Sequence, residues 1–538
     1  MLCYHCHKDN PPNYFVCVHC GKPRVIDAAQ GGASSGRTTR QANRTTTAAP
    51  TTAAPTTTLP PPSTVTPAPG TGGRFARDAT RYLCAAMQTD SSFNRKVTSG
   101  ILDEQHRAIA SSPGVDLSTV LKYGLAAQRR WVIRDLVLVA TIVVVCLAVV
   151  MSQPMLLVLA AATAWAAVLS NDIVTRHGIL ARRLRRGVFD PARAPLPFSK
   201  ALRQRLTEIA RHDRGNVTVF PEYSPFIGHG QIYQTWSFVV NVARPAHGER
   251  ITPFTVHDLY EHVAREVSAL GLPGVAVEDR VFVNGLDLLD ENDPVVQKGI
   301  LPDPMQPPLP SADVALLRRV REDPKSRARS YLAVRVTGWS GELVLTVFLR
   351  FALLAQRDLL FVEASYSLLT PVRPSYREVD RLRTVPTARQ VLRMAGTTAM
   401  TTPFSVIGAV SNLVATAVGP LGQVVKENNE VREIRSERSF NYGAVVSPRE
   451  LASDYQYDRY FQQLDTDMYA KMVERRILDS LAAFMKRHGI DVEEFSERQT
   501  TILNNGVFVT GQATVKAGSI ATGWKAVANA FGSRRNDG

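Results

Sequence analysis

The chain has 538 residues and a formal net charge of +15, with 63 Lys and Arg against 48 Asp and Glu. This length allows several domains, each with its own hydrophobic core. The cysteine pattern excludes a disulfide-rich fold, because four of the 6 cysteines crowd the N-terminus. Thiols clustered at metal-ligand spacing indicate a reducing compartment instead.

Residues 1–24 contain two C-x2-C pairs separated by a short loop. Each pair presents two thiolates to one metal, and two pairs complete the tetrahedral site of a structural Zn2+. Because so short a segment has no core, the zinc would supply most of its folding free energy. We predict that zinc is bound by Cys3, Cys6, Cys17 and Cys20.

The same segment resembles a small zinc-ribbon family that reads about C-x2-C-G-x-x-N-P-x-x-x-x-F-C-x2-C-G. The matching positions after the first pair are Asn10, Pro11, Cys17, Cys20 and Gly21. The sequence departs at two positions: Phe15 lies one residue further from the second pair, and His7 stands in place of the first glycine. The resemblance implies a closed structural site, without catalysis. Three histidines are alternative ligands: His5, His7 and His19.

Residues 25–75 are rich in Thr, Ala and Pro. Such a composition cannot bury enough apolar surface to fold, and its prolines keep the chain extended. Threonine- and proline-rich stalks can be O-glycosylated. Because a zinc ribbon beside it indicates the cytosol, we interpret this segment as a flexible tether.

Residues 76–130 show helical spacing of apolar residues, and Asp116 is placed as the N-cap of a helix that enters the next, apolar stretch. The passages RYLCAAM, DEQHRAIASSPGVDL and LAAQRR resemble the corresponding part of a group of uncharacterised actinobacterial membrane proteins. This resemblance extends more loosely to YSPFIGHGQIYQTWSFVVNVARP and implies no activity.

Residues 131–174 are predicted to form a transmembrane helical hairpin. The stretch from Leu136 to Ser170 has no charge, arginines flank it on both sides, and Pro154 breaks it in the middle. Each half is shorter than the about 20 residues that a spanning helix needs, so the flanks must contribute. Two short spans, a re-entrant wedge in one leaflet and a buried soluble hairpin are the three alternatives. The first two return both flanks to the cytosol.

Residues 175–215 are basic. We expect four arginines of this juxtamembrane segment to contact the anionic head groups of the bilayer: Arg182, Arg183, Arg185 and Arg186. A nucleic-acid partner is disfavoured, because aromatic residues that could stack on bases hardly interleave the arginines.

Residues 216–400 alternate strand-like and helix-like segments, which predicts an α+β domain with a mainly antiparallel sheet and helices on one face. The long strands 330–338 and 342–369 are joined by a turn at Trp339–Gly341. Residues 401–538 are predicted to be helical, followed by a Gly- and Val-rich tail with edge strands around Asn504–Gly506. Within 392–425, Pro403 and Pro420 argue against a third span, leaving a membrane-lying or partner-facing helix and a buried core helix as alternatives.

Few side chains suggest chemistry. His257 and His262 lie five positions apart and so fail the H-E-x-x-H zinc motif. His106 is interpreted as a helix histidine. The loop Tyr223–Gln231 with Gly228-His229-Gly230 is a candidate ligand loop or a glycine turn. An acidic loop is interpreted as solvated: Asp287, Asp290, Glu291 and Asp293.

Together these patterns predict a multi-pass cell-membrane protein with cytoplasmic N- and C-termini. The first functional hypothesis is a non-enzymatic interaction or scaffold protein, whose zinc ribbon meets a cytosolic protein partner. The second is a membrane-bound enzyme or ligand sensor with a pocket in residues 216–400. The weakest is nucleic-acid binding through the zinc ribbon and basic segment, which strong salt dependence would reveal.

Overall fold

The computed structural model describes residues 72–290, 293–354, 358–436 and 440–504. The predicted zinc ribbon, nearly all of the predicted tether and the Gly- and Val-rich tail lie outside these residues. The fold is therefore described for the remainder of the chain.

Helices make up most of the described chain outside one sheet. In order they are α1 Gly72–Thr89, α2 Ser91–Leu102, α3 Leu117–Val150, α4 Pro154–Ile173, α5 Ala181–Arg183, α6 Lys200–Asp213, α7 Val256–Ser268, α8 Pro294–Ile300, α9 Val314–Glu322, α10 Pro374–Arg377, α11 Ala388–Ser436, α12 Pro448–Leu451, α13 Tyr460–Arg487 and α14 Glu493–Asn504. A π-helix, Val174–Leu180, joins α4 to α5.

The N-cap predicted for the long helix is confirmed. The Asp116 carboxylate accepts a hydrogen bond from the backbone N–H of Thr119, so α3 begins at Leu117. It then continues without a break for 34 residues into the apolar stretch. The chain reverses at Ser152, which has a positive φ of 54°, and Pro154 occupies the first turn of α4, where its missing N–H is tolerated. We call α3 and α4 together the hairpin.

The sheet has six strands: β1 Val217–Phe220, β2 Gln231–Asn241, β3 Val275–Asn284, β4 Arg329–Gly338, β5 Leu343–Leu354 and β6 Leu359–Leu369. Their spatial order is β1-β3-β4-β5-β6-β2. Only the β1–β3 pair is parallel, and the other four pairs are antiparallel. The mainly antiparallel α+β sheet is therefore confirmed, as is the turn Trp339–Gly341 between β4 and β5. The single long strand predicted for 342–369 is wrong, because this stretch forms two strands, β5 and β6, that pair with each other.

Alternate side chains of the central strands enter two different cores, as the period of a strand requires. Val334, Val347 and Val362 face one side, where α7, α13 and α14 cover them with a large apolar cluster. Tyr331 and Phe348 face the other side of the sheet, where they belong to a small aromatic cluster. Helices that the sequence suggested as a separate C-terminal region thus complete the core of the sheet.

A second apolar core is helical and joins the body to the hairpin. Leu83 of α1, Val97 of α2, and Val120 and Leu121 of α3 are all buried in it. The same core holds Ile209 of α6, so the apolar face of this basic segment packs on protein. The first three turns of α3 are therefore core, although its later turns are apolar and exposed.

Candidate functional site

Three described helices are long and apolar enough to cross a membrane. Two are the halves of the predicted hairpin, α3 and α4 with its continuation to Arg183. The third is α11, a single helix of 49 residues that contains Pro403 and Pro420. Pro403 and Pro420, which argued against a third span in the sequence, do not interrupt this helix, because a proline removes one hydrogen bond and can kink a helix without ending it. A buried core helix is also excluded, since most of α11 is exposed.

The α11 helix packs across the base of the hairpin. Ala409 is fully buried in a cluster with Leu138, Ala164 and Val168. Closer to the start of α11, the indole Nε1 of Trp165 donates a hydrogen bond to the Ala395 carbonyl at 3.0 Å. These hairpin residues lie nearer to the ends of the apolar stretch from Leu136 to Ser170 than to its turn at Ser152, and we call this part the base of the hairpin.

A cavity of about 1000 Å3 opens where the hairpin base, α2 and α11 meet. Its lining combines basic and acidic side chains with amides and hydroxyls. The charged members are Arg95, Arg129, Arg134, Arg176, Asp103, Asp135 and Asp172. Because charges beside apolar spans are expensive to desolvate, such a cluster is a candidate functional site by its position alone.

Asp135 is the most buried carboxylate of this cavity, with its side chain 4% exposed. Its Oδ1 lies 2.7 Å from a guanidinium nitrogen of Arg134. Its Oδ2 accepts a hydrogen bond from Nδ2 of Asn412 at 3.2 Å. Two helices therefore hold one carboxylate, and both of its oxygens are satisfied within the protein.

The rest of the lining presents both signs of charge to the cavity. Arg129 stacks on Phe198, with its guanidinium carbon 4.3 Å from the ring centroid. Asp103 lies at the end of α2, where burial raises the pKa of its carboxyl although a hydrogen bond from Gln423 of α11 lowers it in part. Arginines and carboxylates thus line the same cavity.

A second cavity of about 520 Å3 adjoins the first along α2 and α11. Lys426 forms an ion pair with Glu104 and lies 3.7 Å from Glu430. Glu104 also lies 3.2 Å from Arg107. This ionic cluster attaches the later part of α11 to the body.

The candidate ligand loop Tyr223–Gln231 is closely packed. The backbone N–H of Gly228 donates a 2.7 Å hydrogen bond to Glu450, and a Cβ at this position would lie 1.9 Å from the Ser111 carbonyl oxygen. His229 is fully buried and meets Phe348 edge-on at 5.0 Å. The loop is therefore a glycine turn between two parts of the body, and neither cavity is lined by residues 216–400.

The two histidines of α7 have different partners. His257 lies 3.1 Å from Glu261 and 3.0 Å from Arg321. His262 is buried and packs on Phe484, with the ring centroids 5.4 Å apart. The structure does not bring them together.

His106 is buried, and its Nδ1 lies 3.1 Å from the Met305 carbonyl oxygen. Its ring meets Phe440 edge-on. His106 is therefore a packed histidine of the segment between α2 and α3, and its interpretation as a helix residue is wrong.

The acidic loop is paired with arginines. Arg327 lies 2.9 Å from Asp287 and 3.7 Å from Asp290. Arg319 pairs with Asp293. Glu291 lies outside the described residues.

The juxtamembrane arginines differ among themselves. Arg182, Arg183 and Arg185 are exposed, and Arg186 pairs with Asp78 of α1. Among the described residues, no group of three or more His, Cys, Asp and Glu side chains is placed to hold a metal ion.

Sequence reasoning missed two buried polar clusters. In the first, Arg81 of α1 donates a 3.0 Å hydrogen bond to Asp380, which also accepts one from Tyr82 at 2.8 Å. In the second, Glu474 of α13 accepts hydrogen bonds of 2.9 Å from both Trp236 and Tyr366. The partners are so far apart along the chain that no local pattern links them.

The fold and the cavity define a class: an α+β body continuous with long apolar helices, compatible with a membrane protein. The AbeC-like domain family matches residues 235–518, more than half of the chain, so the chain belongs to the AbeC-like family. The matched range contains β3 to β6 and α7 to α14 together with most of β2, and it begins after the hairpin. No curated protein and no solved structure matches the chain.

Proposed function

We propose that this protein is a membrane-anchored interaction or scaffold protein without enzymatic activity, with both termini in the cytosol. The observation that carries this proposal is the continuity of α3. Val120 and Leu121 of this helix are fully buried in the body core, whereas Leu136 and Val143 are more than half exposed and apolar. A helix shared by the core and the bilayer would fix the orientation of the body at the membrane surface.

The proposed partner-binding part is the zinc ribbon at the N-terminus. Cys3, Cys6, Cys17 and Cys20 would hold a structural zinc ion. The Thr-, Ala- and Pro-rich tether behind it would let the ribbon search for a cytosolic protein while the body stays at the bilayer.

Capture of cytosolic proteins tests this proposal. The full chain, a chain without residues 1–24 and the full chain with Cys17→Ser would each be isolated from membranes with their bound proteins. We expect one partner to be retained by the full chain and lost from both variants. Equal recovery from all three would refute a role for the ribbon in partner binding.

The position of the hairpin is tested separately. Reporter insertions at Gln153 and at Lys200 should report opposite sides of the membrane if α3 and α4 span it. Reports from the same side would refute the two-span arrangement and favour a wedge in one leaflet.

The charged cavity favours a second candidate function, the sensing of a phospholipid by its head group. Phosphoethanolamine is the head group that we propose, because its phosphate suits Arg134 and Arg176 and its ammonium suits Asp172, the carboxylate beside them in the lining. The volume of about 1000 Å3 is ample for such a ligand. The exposed arginines Arg182, Arg183 and Arg185 would contact anionic lipids at the surrounding surface.

Lipid retention tests this second candidate. The full chain and an Arg134→Gln, Arg176→Gln variant would be purified in mild detergent from membranes containing phosphatidylethanolamine and phosphatidylglycerol. Lipids still bound would be identified by mass spectrometry. We expect retained phosphatidylethanolamine to fall at least about fivefold in the variant and to be unchanged in Arg182→Gln, whose side chain is outside the cavity lining. Equal retention in all three, or retention of phosphatidylglycerol alone, would refute the proposed head group.

A further inference from the structure

The ends of α11 both lie on the body side of the hairpin. Before its first turn, the Arg383 carbonyl oxygen is 2.9 Å from Nδ1 of His177, a residue of the π-helix that follows α4. Near its other end, Lys426 pairs with Glu104 and Ile434 is buried in the body. His177 and Glu104 are both beyond the base of the hairpin, away from Ser152.

A continuous helix that crosses a bilayer must have its ends on opposite sides. At 1.5 Å per residue the 49 residues of α11 extend about 70 Å, more than twice the roughly 30 Å thickness of the hydrocarbon core. The length therefore exceeds what a span requires, and the attachments at both ends contradict a crossing. A helix with these attachments lies along the membrane.

One face of α11 follows the protein from end to end. Ala409 packs on the hairpin, Asn412 bonds Asp135 of α3, and Gln423 bonds Asp103 at the end of α2. Thr398 and Ile434, near the two ends of the helix, are buried. At 100° per residue these positions share one side of the helix.

The opposite face is an apolar stripe, interrupted by Ser411. Its members recur every three or four residues, or every two turns, and fall within an arc about 100° wide. They are more than half exposed: Met400, Phe404, Ile407, Val414, Val418, Leu421 and Val425. We call these residues the α11 stripe.

The charges of α11 are confined to its ends. The sequence has no charged residue between Arg393 and Lys426, although both flanks are rich in basic and acidic side chains. A stripe of this length facing water would be unfavourable, since exposed apolar patches of this size mark interaction sites. Because Ala409 of the same helix packs on Leu138 of the hairpin, close to the exposed and apolar Leu136, lipid is the partner that fits the stripe.

We propose that α11 is an interfacial helix, lying along the body-side leaflet across the base of the hairpin with the α11 stripe in lipid. Pro403 and Pro420 would let it bend along that surface. In this position α11 closes one wall of the charged cavity, so the cavity faces the head-group layer. The proposal rests on the hairpin being in the membrane, which is part of the proposed function.

The side of each end is the first test. Cysteines would be introduced singly at Val385 and Ser436, at the two ends of α11, and at Gln153 in the hairpin turn. Host cells, intact or permeabilised, would be treated with a membrane-impermeant maleimide, and labelled peptides would be identified by mass spectrometry. We expect positions 385 and 436 to be labelled only after permeabilisation. Labelling of one of them in intact cells and the other only after permeabilisation would overturn the proposal.

Gln153→Cys separates this result from the proposed function. Labelling at 153 in intact cells would place the hairpin turn on the side of the membrane opposite to the body. If 153 is labelled only after permeabilisation, the two-span anchor fails, whereas agreement between 385 and 436 still supports the orientation of α11.

The lipid contact is tested with a photo-crosslinking benzoylphenylalanine in place of Phe404, and in place of Asn412 as the protein-facing control. After irradiation in vesicles of phosphatidylethanolamine and phosphatidylglycerol, we expect lipid adducts at 404 and an intramolecular crosslink to α3 at 412. A crosslink from 404 to a second copy or to another protein, or the absence of a lipid adduct, would refute the lipid-facing stripe.

Discussion

Asn412 of α11 donates a hydrogen bond to Asp135 of α3, with Nδ2 and Oδ2 3.2 Å apart. This contact joins the interfacial helix to the hairpin at the buried carboxylate of the charged cavity. Asn412→Leu would leave one oxygen of Asp135 without its partner while Arg134 stays in place. We expect a loss of about 1–3 kcal/mol in unfolding free energy, because a buried acceptor left unsatisfied costs that much.

The measurement is thermal unfolding of the full chain in mild detergent. Ser411→Leu is the matched control, because it adds the same apolar side chain to the same helix. Ser411 is exposed and lies next to Asn412 in the sequence. A melting temperature equally lowered in both variants would show that the hydrogen bond to Asp135 contributes nothing of its own.

Arg81 and Asp380 join α1 to the turn before α11. Arg81 is 1% exposed, and Asp380 accepts hydrogen bonds from both Arg81 and Tyr82. Asp380→Asn removes the negative charge and keeps the shape of the side chain. Arg81 then has Asp78, three residues before it in α1, as its remaining charged partner. We expect about 1–3 kcal/mol of destabilisation in chemical unfolding at pH 7. Asp479→Asn in the exposed Arg475–Asp479 pair should change stability by less than about 1 kcal/mol.

The same ion pair predicts a pH dependence. Burial alone would raise the pKa of Asp380, but the hydrogen bonds from Arg81 and Tyr82 outweigh it and lower that pKa. A lowered carboxyl pKa gives stability that is complete above the ordinary Asp value of about 3.9 and is lost as pH falls through the folded-state value. The stability difference between the parent and Asp380→Asn should therefore be constant near neutral pH and shrink only below about pH 4. A difference that grows on acidification would contradict this assignment.

The elements that the sequence predicted well have local signals. Asp116 caps α3 because a carboxylate at this position satisfies a free N–H of the first turn. The strands of the sheet follow from runs of β-branched and aromatic residues, and the turn Trp339–Gly341 separates two of them. None of these inferences needs information about a distant residue.

The helix α11 shows where local rules fail. Its two prolines suggested interruptions, yet apolar residues keep helical spacing through both, from Met400 past Pro403 and Pro420 to Val425. That periodicity was the signal for one continuous helix. The cavity had no such signal, because Asp135 and Asn412 are 277 positions apart and only the packed chain brings them together.

The zinc ribbon predicts a metal content that can be measured directly. The full chain should contain one zinc ion per molecule, since four thiolates complete one tetrahedral site. Cys17→Ser should lose it, whereas His19→Ala should retain it if the histidines are not ligands. Elemental analysis of the purified variants decides this. Zinc retained in Cys17→Ser, or lost in His19→Ala, would contradict the four-cysteine ligand set.

Glu474 is a buried acid at the interface between the sheet and α13, and two substitutions of it should destabilise the fold to very different extents. One of its oxygens accepts both the Trp236 indole N–H and the Tyr366 hydroxyl, each at 2.9 Å. Glu474→Leu would leave the Tyr366 hydroxyl without its acceptor, at a cost of about 1–3 kcal/mol. The Trp236 indole N–H would keep its 3.2 Å hydrogen bond to the Tyr366 hydroxyl oxygen. Glu474→Gln keeps a carbonyl oxygen for both donors and removes the charge, so it should be far less destabilising.

The pH profile distinguishes a charge effect at Glu474 from simple packing. Burial raises the pKa of Glu474, although the hydrogen bonds from Tyr366 and Trp236 lower it in part. The folded state therefore binds this proton more tightly than the unfolded state, and stability falls as pH rises from the ordinary Glu value of about 4.3 to the raised folded-state value. Unfolding free energies measured from pH 4 to pH 8 should show a shallower decline in Glu474→Gln than in the parent. Glu497→Gln, on the exposed side of α14, should leave the parent profile unchanged; parallel profiles for the parent and Glu474→Gln would show that Glu474 does not carry this dependence.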